Sequence, residues 1–178
     1  FEFLSYALKD RSDAFIYERF VSAKSFREAV RFIMSAGDIE YLYIAAHGDF
    51  GTIVSPDGSR MSRTYIRNTF CEINHSRRRL KGVLVGSCKF GGIENLIELL
   101  RPSHVRGTKQ PNRLLWVGGY AQEIDYTRSS LFDIHFYDLF FRTNAKTEIE
   151  RVEKTLDQLN RYSPGLVDGL SLSLVAKL

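Results

Sequence analysis

The chain has 178 residues, of which 44% are hydrophobic and 26% charged, and a formal net charge of +4. That length buries a real core and fits one domain, taken as residues 1–178, while the composition excludes a disordered or collagen-like chain. No apolar run approaches the ~20 residues that span a bilayer, and the opening FEFLSYALKD lacks the basic region, apolar core and cleavage site of a signal peptide.

The first residue is not Met, which is read as a domain excised from a longer protein. There are two cysteines, Cys71 and Cys88, too few for a secreted disulfide scaffold, so a reducing, cytoplasmic setting is expected. No Cys-x-x-Cys pair occurs and the four histidines are scattered, so no metal site and no cofactor are expected. The basic residues concentrate in HSRRRLKG (75–82) at a helix end, where cations favour the helix C-terminus. Nucleic acid is therefore not the expected partner of Arg77, Arg78 and Arg79, and no membrane partner is expected either.

In chain order, FEFLSYAL (1–8) and AFIYERFV (14–21) alternate enough to predict strands. Residues 24–35 predict a helix with Phe26, Val30, Ile33 and Met34 on one face and Gly37 as its stop. EYLYIAAHG (40–48) reads as a buried strand, and DFGTIVSPDGSRM (49–61) as a hairpin turning at Asp57-Gly58. Residues 62–79 predict a helix with Ser62 as N-cap and Tyr65, Ile66, Phe70 and Ile73 at helical spacing. GVLVGSC (82–88) is a second buried strand, and residues 93–100 form a short apolar helix ended by Pro102. RPSHVRGTKQPN (101–112) reads as a basic loop and LLWVGGY (114–120) as a third buried strand. A long helix is expected over about 127–141, then an amphipathic one over 147–160 through Ile149, Val152, Leu156 and Leu159, then a closing strand in LSLSLVAKL (170–178). Buried strands alternating with helices predict an α/β domain with a mostly parallel sheet and helices on both faces.

Ligands of such sheets bind at the carboxyl ends of the strands. IAAHG delivers His47 to one such end and LVGSC delivers Cys88 to the next. Neighbouring strands lie roughly 5 Å apart, so both side chains can face one cleft. The thiolate is the nucleophile in cysteine catalysis, and a neighbouring imidazole takes its proton. The backbone N–H of Gly48, with that of Cys88, can hold the oxyanion of a tetrahedral intermediate. Gly86 is read as letting a substrate backbone approach. Of the other histidines, His75 and His104 fall in basic exposed segments, and His135 is expected to pack within the aromatic helix SLFDIHFYDLFF (130–141).

The order His first, then Cys about forty residues later on the next strand, resembles the caspase-like cysteine peptidases. His47-Gly48-Asp49, the hairpin through Asp57-Gly58, the intervening helix and the strand ending in Cys follow that family's layout, over about residues 14–160. The resemblance implies a three-layer caspase-like sandwich. Caspases carry Gln-Ala-Cys where this chain has Gly86-Ser87-Cys88-Lys89-Phe90, so cleavage after Asp is not implied. Trp116, then QEIDYT (122–127) and FYDL from Phe136, resemble the CHAT peptidases and their separase relatives, in which acids line a pocket for a basic P1 residue. Asp125 first and Glu123 second are the candidate pocket acids, since a carboxylate there would take an Arg or Lys side chain by a charge-assisted hydrogen bond. Asp125 also stands where an acid favours the start of the following helix.

The resemblance thus implies a cysteine endopeptidase acting on protein or peptide substrates in regulated or defence-related proteolysis, under control of a partner or attached domain. The alternative is a catalytically inactive module of the same fold used for binding. An α/β-hydrolase does not fit: Phe90 stands where the nucleophile elbow needs Gly, and that fold places its nucleophile before its His.

Overall fold

The computed structural model describes residues 16–36, 39–77, 80–105 and 108–177. Four strands form the main sheet in the order β1-β5-β8-β9. In it β1 (Tyr41–Ala45), β5 (Gly82–Gly86) and β8 (Trp116–Tyr120) run parallel, and β9 (Leu172–Ala176) closes the sheet antiparallel to β8. The register pairs Ala45 with Gly86 and Val85 with Gly119, which aligns the carboxyl ends of the three parallel strands.

Helices cover both faces because successive side chains of a strand point to opposite sides. Val83 and Val85 of β5 and Val117 of β8 pack with Leu42 and Ile44 against α1 (Ala23–Ala36), α2 (Arg63–Arg77) and α3 (Ile93–Leu100). Leu84, Trp116 and Tyr120 face the other way, onto Phe132, Phe136 and Phe140 of α4 (Tyr126–Arg142) and Val152 and Leu159 of α5 (Glu148–Tyr162). The molecule is thus a mixed α/β fold with a mostly parallel sheet between two helical layers.

Local sequence sets the helix starts. Ser22 Oγ accepts from Ser25 N at 3.1 Å while Ser25 Oγ accepts from Ser22 N at 2.9 Å, a reciprocal cap that opens α1. Ser62 Oγ accepts from Tyr65 N at 3.2 Å for α2, and Thr147 Oγ1 from Glu150 N at 3.1 Å for α5. The predicted face of α1 is the buried one, through Phe26, Val30, Ile33 and Met34.

Several expectations are corrected. Residues 16–20 are irregular rather than a strand; Phe20 leaves any sheet and packs edge-on against Phe26 at 5.2 Å. FEFLSYAL and Gly37 lie outside the described residues, as do Arg78, Arg79 and the side chains of His75 and Arg77. The first buried strand stops at Ala45, and His47 opens a separate antiparallel sheet of β2 (His47–Asp49), β3 (Thr52–Val54) and β4 (Arg60–Ser62). The expected basic loop folds in part as a hairpin of β6 (Ser103–Val105) and β7 (Thr108–Gln110). His135 is exposed, because the buried stripe of α4 runs through Phe132, Phe136 and Phe140. A four-residue helix, α6 (Leu166–Gly169), precedes β9. Among the described residues no helix is long and apolar enough to cross a membrane.

Candidate active site

β1 and β5 are in parallel register with Ala45 opposite Gly86, and His47 and Cys88 each follow two residues later. Both residues therefore leave the sheet at equivalent heights on neighbouring strands. Gly48 brings the two departing segments into contact. A Cβ on Gly48 would lie 1.8 Å from Ser87 Oγ and 2.6 Å from the Cys88 carbonyl oxygen, so no other residue fits there. His47 is exposed and Cys88 half-buried, so both are reachable from solvent. Cys71, by contrast, is fully buried on α2 with its thiol near the Arg101 carbonyl at 3.8 Å.

The turn that carries Cys88 is braced on three sides. Lys89 N donates to the Gln122 carbonyl at 3.0 Å and Gly91 N to the Tyr120 carbonyl at 2.8 Å. The Phe90 carbonyl accepts from Asn95 Nδ2 at 3.0 Å, and the Phe90 ring is fully buried. Lys89 takes a φ of 59°, the left-handed region uncommon outside glycine, which folds the chain sharply after Cys88. Ser87 is 1% exposed and its Oγ has no hydrogen-bond partner among the described residues.

A ring of charge borders this turn. Lys89 Nζ lies 2.5 Å from Glu123 Oε1 and 5.5 Å from the centroid of the Phe50 ring, which is 77% exposed. Arg60 Nη2 donates to Asp49 Oδ2 at 2.8 Å and, with the Phe50 N–H, holds the Asp49 carboxyl below its usual range. The hydrogen bond that Lys89 donates to Glu123 likewise holds the Glu123 carboxyl low and the Lys89 ammonium up. The two candidate pocket acids are thus separated in role. Glu123 meets the turn at Cys88 through Lys89, whereas Asp125 Oδ1 accepts from Arg128 N at 2.8 Å as the N-cap of α4.

Beneath the turn lies a buried carboxylate that the sequence pattern did not single out. Asp133 of α4 is 1% exposed and accepts from Tyr43 Oη of β1 and Tyr120 Oη of β8, each at 2.5 Å. Burial pushes its carboxyl up to about 6 despite the two donors. The hydroxyls are driven upward by burial and by the facing Asp133. This network also requires Gly86: a Cβ there would lie 2.2 Å from Tyr43 Oη. A signal existed in the sequence, an acid inside an aromatic helix that must find donors if buried, but no local feature names its partners.

Among the described residues no group of three His, Cys, Asp or Glu converges as a metal ligand set. A cavity of about 470 Å³ forms an apolar groove along β1, walled by Phe26, Val30, Ile33, Tyr43 and Tyr137. His47 borders it and Cys88 does not. The chain matches no protein-family model, and no curated protein matches it.

Proposed function

We propose that the protein is a cysteine endopeptidase of the caspase-like type, nearest to the CHAT peptidases, with His47 and Cys88 as its dyad. The observation that carries this reading is the close approach of Gly48 to Ser87 and Cys88 at register-equivalent strand ends. It sets an imidazole and a thiol, both accessible, at the carboxyl end of a mostly parallel sheet. The two helical layers agree with a caspase-like sandwich.

In the proposed reaction the Cys88 thiol gives its proton to the His47 imidazole and the sulfur attacks the scissile carbonyl carbon. The carbonyl electron pair moves to oxygen, where the N–H groups of Gly48 and Cys88 would receive it. Collapse breaks the C–N bond, and the His47 imidazolium protonates the leaving amine. Water, deprotonated by His47, then splits the thioester and returns the thiol. A basic P1 side chain would be held by Glu123, which lies beside the nucleophile turn, with Asp125 the weaker candidate because it caps α4. The substrates are proteins or peptides, in regulated or defence-related proteolysis. Both cysteines are free thiols, which suits a cytoplasmic enzyme.

The test is a covalent, cysteine-directed peptide probe ending in Arg, read by intact and peptide mass spectrometry. Adduct on Cys88, lost in C88A and slowed by two orders of magnitude or more in H47A, is the expected result. A folded protein that never labels, and that matches C88A on a peptide library, overturns the peptidase and leaves a binding module. Preference for an Asp-ended probe would keep the enzyme and discard the basic pocket.

A further inference from the structure

The residue that follows the nucleophile has a role that the dyad does not explain. Lys89 carries a cation whose ammonium sits 2.5 Å from Glu123 Oε1 and over the exposed face of Phe50 at 5.5 Å. Its backbone is pinned by φ 59° and by the N–H bond to Gln122, so the root of the side chain is fixed while its four-carbon stem can swing. Glu123 is 78% exposed at its side chain, and its resolved partner is Lys89. A cation delivered to that carboxylate from beside Cys88 is what a basic P1 residue would itself supply.

We propose that Lys89 is a specificity-determining residue: in the free protein its ammonium occupies the Glu123 carboxylate, and a basic P1 side chain binds by displacing it. The proposal rests on the peptidase reading above. Exchange is cheap because ion pairs this exposed are weak in water and are screened by salt. Phe50 provides a second resting place for whichever cation is not on Glu123, since the face of an exposed ring attracts ammonium and guanidinium groups alike. Lys89 thus acts as a built-in competitor that lowers the gain a basic P1 group draws from Glu123, while a P1 group that makes no use of that carboxylate is not opposed by it.

The experiment measures kinact/KI on the intact protein with two probes of one sequence, ending in Arg and in Leu, on wild type, K89M, K89R and E123Q. K89M is expected to react about two- to fivefold faster than wild type with the Arg probe, the span set by an exposed pair. It should show no change with the Leu probe, and K89R should return to the wild-type rate. E123Q should lose the Arg advantage, and adding K89M to it should give no further gain, because the two residues act as a pair. Equal or slower Arg labelling of K89M, or the same gain with both probes, overturns the role of Lys89 while the peptidase stands. Absence of any adduct on Cys88 in wild type overturns both.

Discussion

Two polar clusters stand at the carboxyl ends of the parallel strands, and they obey opposite physics. Tyr120 and Asp133 are buried below the turn at Cys88 with the half-buried Tyr43 beside them, where a carboxylate must be supplied with donors. Asp49, Arg60, Lys89 and Glu123 ring the same turn from outside, where water supplies what the protein does not. The buried cluster ties β1, β8 and α4 together and so holds the frame. The exposed ring contributes little to stability, and in the reading proposed above that weakness would let it exchange partners with a ligand. A site built on both has a rigid floor and an adjustable rim.

The largest effect should come from emptying the floor. Asp133→Ala removes the carboxylate to which the Tyr43 and Tyr120 hydroxyls donate, and about 3–5 kcal/mol of stability is expected to disappear in urea unfolding. A loss under 1 kcal/mol would mean that water enters and takes over the role of the carboxylate.

A pH series sharpens the same point. The folded carboxyl of Asp133 is raised from 3.8 to about 6, so between those values the native state keeps a proton that the unfolded state has released. Its contribution is fully present below about 4 and falls as pH rises through about 6, by up to about 3 kcal/mol at ~1.4 kcal/mol per unit. Asp49, Asp57, Glu123 and Glu150, whose carboxyls are held low, work in the reverse sense and lose stability only as pH drops below the ordinary carboxylate range. Subtracting the unfolding curves of D133N from those of wild type isolates the Asp133 slope, and parallel curves from pH 4 to 7 would refute it.

The smallest effect belongs to the rim. Arg60→Ala removes the partner of Asp49 at the surface, and its melting temperature should match wild type at physiological salt. A clear loss would show that the rim also braces the hairpin of β2, β3 and β4.

Much of this architecture was legible in the chain because it follows from local periodicity. The run around Val83, Leu84 and Val85 is apolar on both sides because it is covered on both sides. Phe26, Val30, Ile33 and Met34 recur at helical spacing because α1 buries that stripe. The failures have equally local causes. AFIYERFV alternates as a strand does, yet Phe20 finds its place against Phe26 instead of a ladder. The basic stretch before β8 has no apolar pattern, and its hairpin arises from backbone pairing of Ser103 with Gln110. His135 sits among aromatics in sequence, but a helix turns it away from them.

What the sequence by itself determined is the alternation of buried strands and amphipathic helices, and the placing of His47 and Cys88 toward the carboxyl ends of two buried strands, which the structure shortens to Ala45 and Gly86. Each of those depends on residues within a few positions of one another. The tertiary structure alone decided that Gly86 admits a tyrosine hydroxyl, that Asp133 meets Tyr43 from 90 residues away, and that Lys89 meets Glu123 across 34. Such partners are chosen by how layers stack and by what burial forces a charge to find, and neither leaves a mark at fixed spacing in the chain.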